Sequence, residues 1–158
     1  MSIEQPSGPV YHFRGRSEHN LDGKGRLSIP ARFRDVLRRQ YDERLMVIPW
    51  HKCLRAYPFP QWEKLEVGLL ASMREQPEMK KMATYVIGGV VECQLDKQSR
   101  VLLPPKLREE GGIHREVVLS GVMTYFEILD KKSWEEENKP TAEDYADFDV
   151  SLLKAGLM

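Results

Sequence analysis

Short apolar runs alternate with glycine and proline punctuation along the chain, and the period of the pattern shifts between two and about 3.6 residues. Tyr11 to Arg14 reads as a strand. Asp22-Gly23-Lys24-Gly25 supplies turn chemistry, because glycine tolerates positive φ. Arg26–Ile29 predicts a short strand that ends at Pro30, since proline cannot donate to a ladder but suits the first turn of a helix. A helix over Ala31–Gln40 and strands over Leu45–Ile48 and Leu54–Tyr57 follow, with a helix near Trp62 closing the set. Residues 60–86 are helical in pattern: Trp62, Leu65, Leu69 and Met73 recur at helical spacing, Pro77 interrupts, and Met79, Met82 and Tyr85-Val86 resume. The methionine stripe reads as helix packing. The order then returns: strands over Val90–Leu95 and Arg100–Leu103, Pro104, a helix over Pro105–Glu110, a stop at Gly111-Gly112, strands over Val117–Ser120 and Tyr125–Leu129, and a helix at Trp134. Residues 139–147 have linker composition, and Phe148 to Leu157 reads either as a short amphipathic helix or as disordered chain.

That return is an internal repeat. LDGKGRLSIPARFR, residues 21–34, aligns with LDKQSRVLLPPKLR, residues 95–108, at a constant offset of 74. Leu21, Asp22, Arg26, Pro30 and Arg34 match Leu95, Asp96, Arg100, Pro104 and Arg108. Trp62 and Trp134 close the two copies at an offset of 72. One copy of about 50 residues is marginal on its own and exposes strand edges. The expected fold is therefore mainly β with short helices (α+β): a pseudo-two-fold β-barrel shared by the copies. The organisation expected is a flexible extension over 1–10, repeats over 11–62 and 87–138, connecting helices over 63–86, and an acidic tail over 139–158.

Charge changes the picture more than composition does. The net charge is zero, but residues 1–60 carry 11 Lys/Arg against 6 Asp/Glu, and residues 127–158 carry 4 against 9. A basic working end and an acidic tail follow from that asymmetry. No apolar run approaches a membrane span, and the start MSIEQPSGPVYHF has no signal-peptide pattern, so a cytoplasmic location is expected. Cys53 and Cys93 sit in apolar runs and read as buried small hydrophobes. Of His12, His19, His51 and His114, only His51 stands near a cysteine, as His51-Lys52-Cys53, and no third partner stands at a recognisable spacing. No ligand cluster or phosphate-binding glycine loop is present, and Gly88-Gly89 and Gly111-Gly112 read as turns. Neither an enzyme nor a cofactor or metal is expected.

The segment FRGRSEHNLDGKGRLSIPARFR closely resembles the first signature of the MraZ proteins. The second Asp-x-x-x-Arg copy, the spacing and the tryptophan-containing ends resemble that family over roughly residues 11–138. The resemblance implies a fold like that of the AbrB-type regulators, a swapped-hairpin (double-split) β-barrel from two tandem AbrB-like repeats, and ring-shaped homo-oligomers, octameric or larger. It also implies binding to G-rich direct repeats upstream of the division and cell-wall gene cluster, including the family's own gene, mainly as a nucleoid-associated repressor. The chain departs from the family pattern in residues 1–10, at Ser99 where a glycine matching Gly25 is typical, and at Pro105 in place of a small residue matching Ala31.

Arg14, Arg16, Lys24, Arg26, Arg32 and Arg34 crowd the first repeat. Arginine suits guanine because its fork donates two hydrogen bonds to O6 and N7, and other basic side chains position a protein on phosphates. By resemblance Arg26 is the first candidate for DNA contact. Arg14 and Arg16 lie just before it and Lys24 sits on the turn, with Lys97 and Arg100 the counterparts in the second copy. Asp22 and Asp96 either orient the arginines that follow them or cap the turns. Double-stranded DNA and further copies of the chain are the expected partners, with no membrane and no small-molecule substrate. The other reading is a protein-binding module of AbrB-like fold, such as an antitoxin, which would run as a small dimer with its partner.

Overall fold

The computed structural model describes residues 11–158; the extension expected over 1–10 lies outside the described residues. The first repeat contributes β1 (Arg16–Asn20), β2 (Arg26–Ser28), α1 (Ala31–Gln40), β3 (Arg44–Trp50) and β4 (Cys53–Pro58). Helix α2 (Phe59–Glu75), a 3-10 turn at Pro77–Met79 and α3 (Lys80–Gly88) form the connection. The second repeat contributes β5 (Val91–Gln94), β6 (Arg100–Leu102), α4 (Pro105–Glu110), β7 (Glu116–Gly121), β8 (Phe126–Asp130) and α5 (Lys131–Glu137), and α6 (Ala142–Lys154) ends the chain. The class is α+β, with more of the described chain in helix than in strand because α2, α3 and α6 are added to the barrel-like core.

Two expectations are corrected. The first strand is Arg16–Asn20, not Tyr11 to Arg14. Gly15, at φ +92°, breaks the chain between the two segments, and Phe13 makes only an isolated bridge to Met123. The strand itself, RSEHN, has no apolar run because it is a half-solvated edge. Residues 139–147 are mostly not a linker either. Thr141 accepts from the backbone N–H of Asp144, and Asp144 accepts from that of Thr141. This capping box starts α6 at Ala142.

The strands of the two repeats are interleaved. The six-stranded antiparallel sheet runs β1-β7-β8-β4-β3-β5, and β2 pairs with β6 in a separate ribbon. The edge strand of each repeat thus pairs with the other repeat: β1 with β7, and β5 with β3. Leu27 pairs with Val101, its repeat equivalent, and Arg55 pairs with Glu127, also its equivalent. The pseudo-two-fold axis therefore passes through both pairs, at opposite sides of the molecule.

Alternation along the strands sorts the two faces of the sheet. Leu45, Val47, Leu54, Ala56, Val117, Leu119, Phe126 and Ile128 point inward, onto Leu27 and Val101 of the ribbon and onto α1 and α4 through Phe33, Val36, Leu37 and Leu107. Phe13, Phe33 and Phe126 meet there with ring centroids 5.0 to 5.3 Å apart. On the outer face Ile48 and Tyr57 pack with Trp62 of α2 and Val86 of α3. The ribbon β2–β6 is thus nailed to the core by its central pair, each such side chain contributing about 1.5–3 kcal/mol of burial, and presents its other face to solvent.

Candidate nucleic-acid interface

Each strand of the ribbon is entered through one Asp-x-x-x-Arg turn. In the first, Asp22 N–H donates to Arg26 O at 3.0 Å and Gly25 N–H to Asp22 O at 3.0 Å. Asp22 Oδ1 accepts from the backbone N–H groups of Lys24 and Arg26, at 3.0 and 2.9 Å, and Oδ2 accepts from Arg26 Nε at 2.6 Å. The second turn repeats this: Asp96 Oδ1 accepts from Gln98 N and Arg100 N, each at 2.9 Å, and Oδ2 from Arg100 Nε at 3.1 Å. One carboxylate oxygen caps the turn and the other holds the arginine, so both roles left open for Asp22 and Asp96 are filled at once. The Arg26 backbone N–H, followed by the side-chain bond to Arg26, holds the Asp22 carboxyl down at about 2. Asp96 is held below the usual range chiefly by the Arg100 backbone N–H.

The turns demand left-handed backbone at one position. Gly25 has φ +83° and Ser99, its counterpart, φ +59°. Gly25 is also tightly enclosed: a Cβ there would lie 2.9 Å from Cζ of Arg108. Arg108 in turn donates from Nε to Leu103 O at 2.9 Å. Its equivalent, Arg34, lies against the opposite turn, where Nη1 donates to Ser99 Oγ at 3.3 Å, joined by Arg38 Nη2 at 3.5 Å. Each repeat therefore supports the other repeat's turn with an arginine. Arg34 and Arg108 are visible in the sequence as matches at the same offset, but only the interleaving shows what they touch. The serine hydroxyl at 99 replaces the glycine by giving these guanidinium groups an acceptor.

Outward on the ribbon stand Arg26, Ser28, Arg100 and Leu102, because the alternating partners Leu27 and Val101 are buried. The pairing sets Arg26 across from Leu102 and Arg100 across from Ser28. Arg100 Nη1 approaches Asp22 Oδ2 at 3.9 Å, so the two signatures form one continuous surface. Lys24 and Lys97 are exposed on the turns at its two ends. Arg26 uses Nε for Asp22 and leaves its terminal nitrogens without a partner among the described residues. Arg100 is more occupied, since Nη2 also donates to Gln98 Oε1.

Lys24, Arg26, Lys97, Arg100, Asp22 and Asp96 are thus brought together, and Arg14 and Arg16 are not. The length of β1 separates them from the first turn, on the order of 15–20 Å. Arg14 is exposed beside Gly15, and the guanidinium of Arg16 stacks over the Trp134 ring of α5, 4.8 Å from its centroid.

Other chemistry-bearing groups lie outside this ribbon surface. Cys53 is buried, its thiol pushed up to about 12 first by that burial and then by Glu127, and it donates to Trp50 O at 3.0 Å. His51 and Lys52 form the exposed β3–β4 hairpin at positive φ. Asp130, buried, caps α5 through Ser133 N and accepts from His114 N and His114 Nδ1. Among the described residues no group of three metal-binding side chains occurs, and no helix is long and apolar enough to cross a membrane.

The profile of one protein family, described as "MraZ protein, putative antitoxin-like", matches residues 12–83 and 86–147. The chain is 42% identical over 146 residues to the transcriptional regulator MraZ of Syntrophobacter fumaroxidans, spanning 92% of this chain and 97% of that protein. It is 37% identical over 147 residues to the transcriptional regulator MraZ of Desulfosudis oleivorans, spanning 92% and 99%. With that of Desulforapulum autotrophicum it shares 38% identity over 145 residues, spanning 92% and 98%. Twin Asp-x-x-x-Arg turns, an interleaved barrel built on them and matches along nearly the whole chain lead to one conclusion: the protein belongs to the MraZ family of transcriptional regulators and is not an enzyme.

Proposed function

We propose that the chain binds double-stranded DNA through the outward face of the β2–β6 ribbon and its two turns. The observation that carries this reading is the joining of the two Asp-x-x-x-Arg turns on one exposed, two-stranded surface. A two-stranded ribbon fits the major groove, where a guanidinium fork donates to guanine O6 and N7. Arg26 contacts a base, Lys24 and Lys97 position the ribbon on phosphates, and Arg100 makes a second, weaker contact. Arg14 and Arg16 serve as outlying phosphate contacts. So few contacts per module give modest affinity, which a ring-shaped homo-oligomer of eight or more copies raises by engaging several G-rich direct repeats at once. On this reading the protein acts in the cytoplasm at the nucleoid, mainly as a repressor of its own promoter and of the division and cell-wall genes that follow.

The test is a titration of the protein and of Arg26→Ala against DNA from upstream of its own gene at several salt concentrations. Arg26→Ala is expected to lose about 10- to 100-fold in affinity while its assembly size holds. Unchanged binding by the variant would move the contact elsewhere, to Arg100 first. Equal binding to unrelated DNA at every salt concentration would overturn the reading. The antitoxin wording of the family description favours a second reading, in which the chain captures a protein partner. A small heterodimer in solution, in place of a large homo-oligomer, would support it.

A further inference from the structure

Leu102 is 53% exposed, although it lies within a paired strand that also carries Arg100 and faces Arg26. Among the four outward positions of the ribbon it is the one apolar side chain, set across from Arg26 and next but one to Arg100. Its repeat equivalent is Ser28, which is also exposed. Everywhere else on the ribbon the pseudo-two-fold axis relates like to like: Arg26 to Arg100, and Leu27 to Val101. At this one pair of positions it relates a hydroxyl to a branched hydrocarbon.

A leucine more than half exposed beside two arginines adds little to a ribbon that Leu27 and Val101 already anchor. Its chemistry suits a ligand that offers anionic groups and guanine edges to the arginines and an apolar group within about 5 Å of them, the spacing of cross-strand neighbours. The major groove of DNA has such a group, the C5-methyl of thymine. We propose, resting on the DNA-binding reading, that Leu102 packs on a thymine methyl one or two base pairs from the base met by Arg26, while Ser28 faces the corresponding base in the other half of the site. A nearly symmetric module then reads an asymmetric sequence. It has a preferred direction along the duplex, and the Leu102–Ser28 difference sets that direction.

The experiment compares the full-length protein, Leu102→Ser and Arg26→Ala on the duplex from upstream of its own gene. Each is titrated against the natural duplex and against one with deoxyuridine in place of thymidine, which lacks only the methyl groups. The wild-type chain is expected to bind the deoxyuridine duplex about 3- to 10-fold more weakly. Leu102→Ser is expected to show that loss already on the natural duplex and no further loss on deoxyuridine. Leu102 is solvent-facing, so melting temperature and assembly size should not change. If Leu102→Ser keeps the full deoxyuridine penalty while Arg26→Ala shows its expected loss of about 10- to 100-fold, the Leu102 proposal falls and the DNA reading stands. Failure of the wild-type chain to prefer this duplex over unrelated DNA would sink both. A change in assembly size in Leu102→Ser would place a second copy of the chain on this residue and also overturn the proposal.

Discussion

At the scale of residues, each signature aspartate divides its two oxygens between backbone and guanidinium, and this explains why Asp and Arg stand four apart. A side chain with a single acceptor oxygen could not do both tasks. Asp22 is held at about 2 against an ordinary value of 3.8. A depressed carboxylate adds stability above its unfolded value and loses it as pH falls through the folded one. Stability should therefore drop between about pH 4 and pH 2, and the Asp22→Asn variant should show a shallower acid limb in thermal melts. The glycine in the turn is constrained twice, by φ +83° and by the Arg108 guanidinium. Gly25→Ala is expected to cost about 1–3 kcal/mol, measured by urea unfolding. An unchanged midpoint would mean that the turn is not held by the arginine beneath it. Ser99 survives at the equivalent place because its hydroxyl accepts from Arg34 and Arg38.

At the scale of elements, the β4–β8 pairing places Arg55 directly against Glu127, with Nε 3.3 Å from Oε2. These are equivalent positions on the pseudo-two-fold axis, so two identical repeats would oppose two like charges there. The guanidinium is also stacked on Trp50, 4.0 Å from the ring centroid. Opposite charges directly across strands stabilise and like charges repel. Glu127→Arg is expected to lower stability by about 1–3 kcal/mol, and the reciprocal double variant Arg55→Glu/Glu127→Arg should recover part of that loss. Chemical denaturation of the four chains gives the coupling directly. Additive losses with no recovery would show that Arg55 acts through its aromatic stacking alone. This pair is one physical reason that two divergent repeats in one chain differ from two copies of either repeat.

At the scale of the whole molecule, the interleaved sheet leaves no core that belongs to one repeat. Cys53 lies in the first repeat and Cys93 in the second, and burial pushes their thiols up to about 12 and about 11 from an ordinary 9.0. Raised values keep the thiols protonated, so this contribution is present below about pH 9 and is lost as pH rises toward the folded values. In the native protein at pH 8 neither cysteine should react quickly with iodoacetamide. In a urea series both should become reactive at one common midpoint, because opening either repeat exposes the shared core. Two separated midpoints would mean that the repeats unfold independently.

The repeat, its offset and the alternation of apolar positions are local properties, and they determined the element order, the pairing of two half-barrels and the signature residues Asp22, Arg26, Asp96 and Arg100. Charged and half-solvated segments carried no such signal. RSEHN became a strand because β7 offered it partners, and α6 starts from a capping box inside a stretch of linker composition. Tertiary structure alone decided that each turn rests on the other repeat's arginine, that Arg14 and Arg16 stand far from the joined signatures, and that Leu102 faces solvent beside two arginines. These depend on which strands exchange partners across the pseudo-two-fold axis, a long-range choice settled by burying one common core rather than by any local spacing.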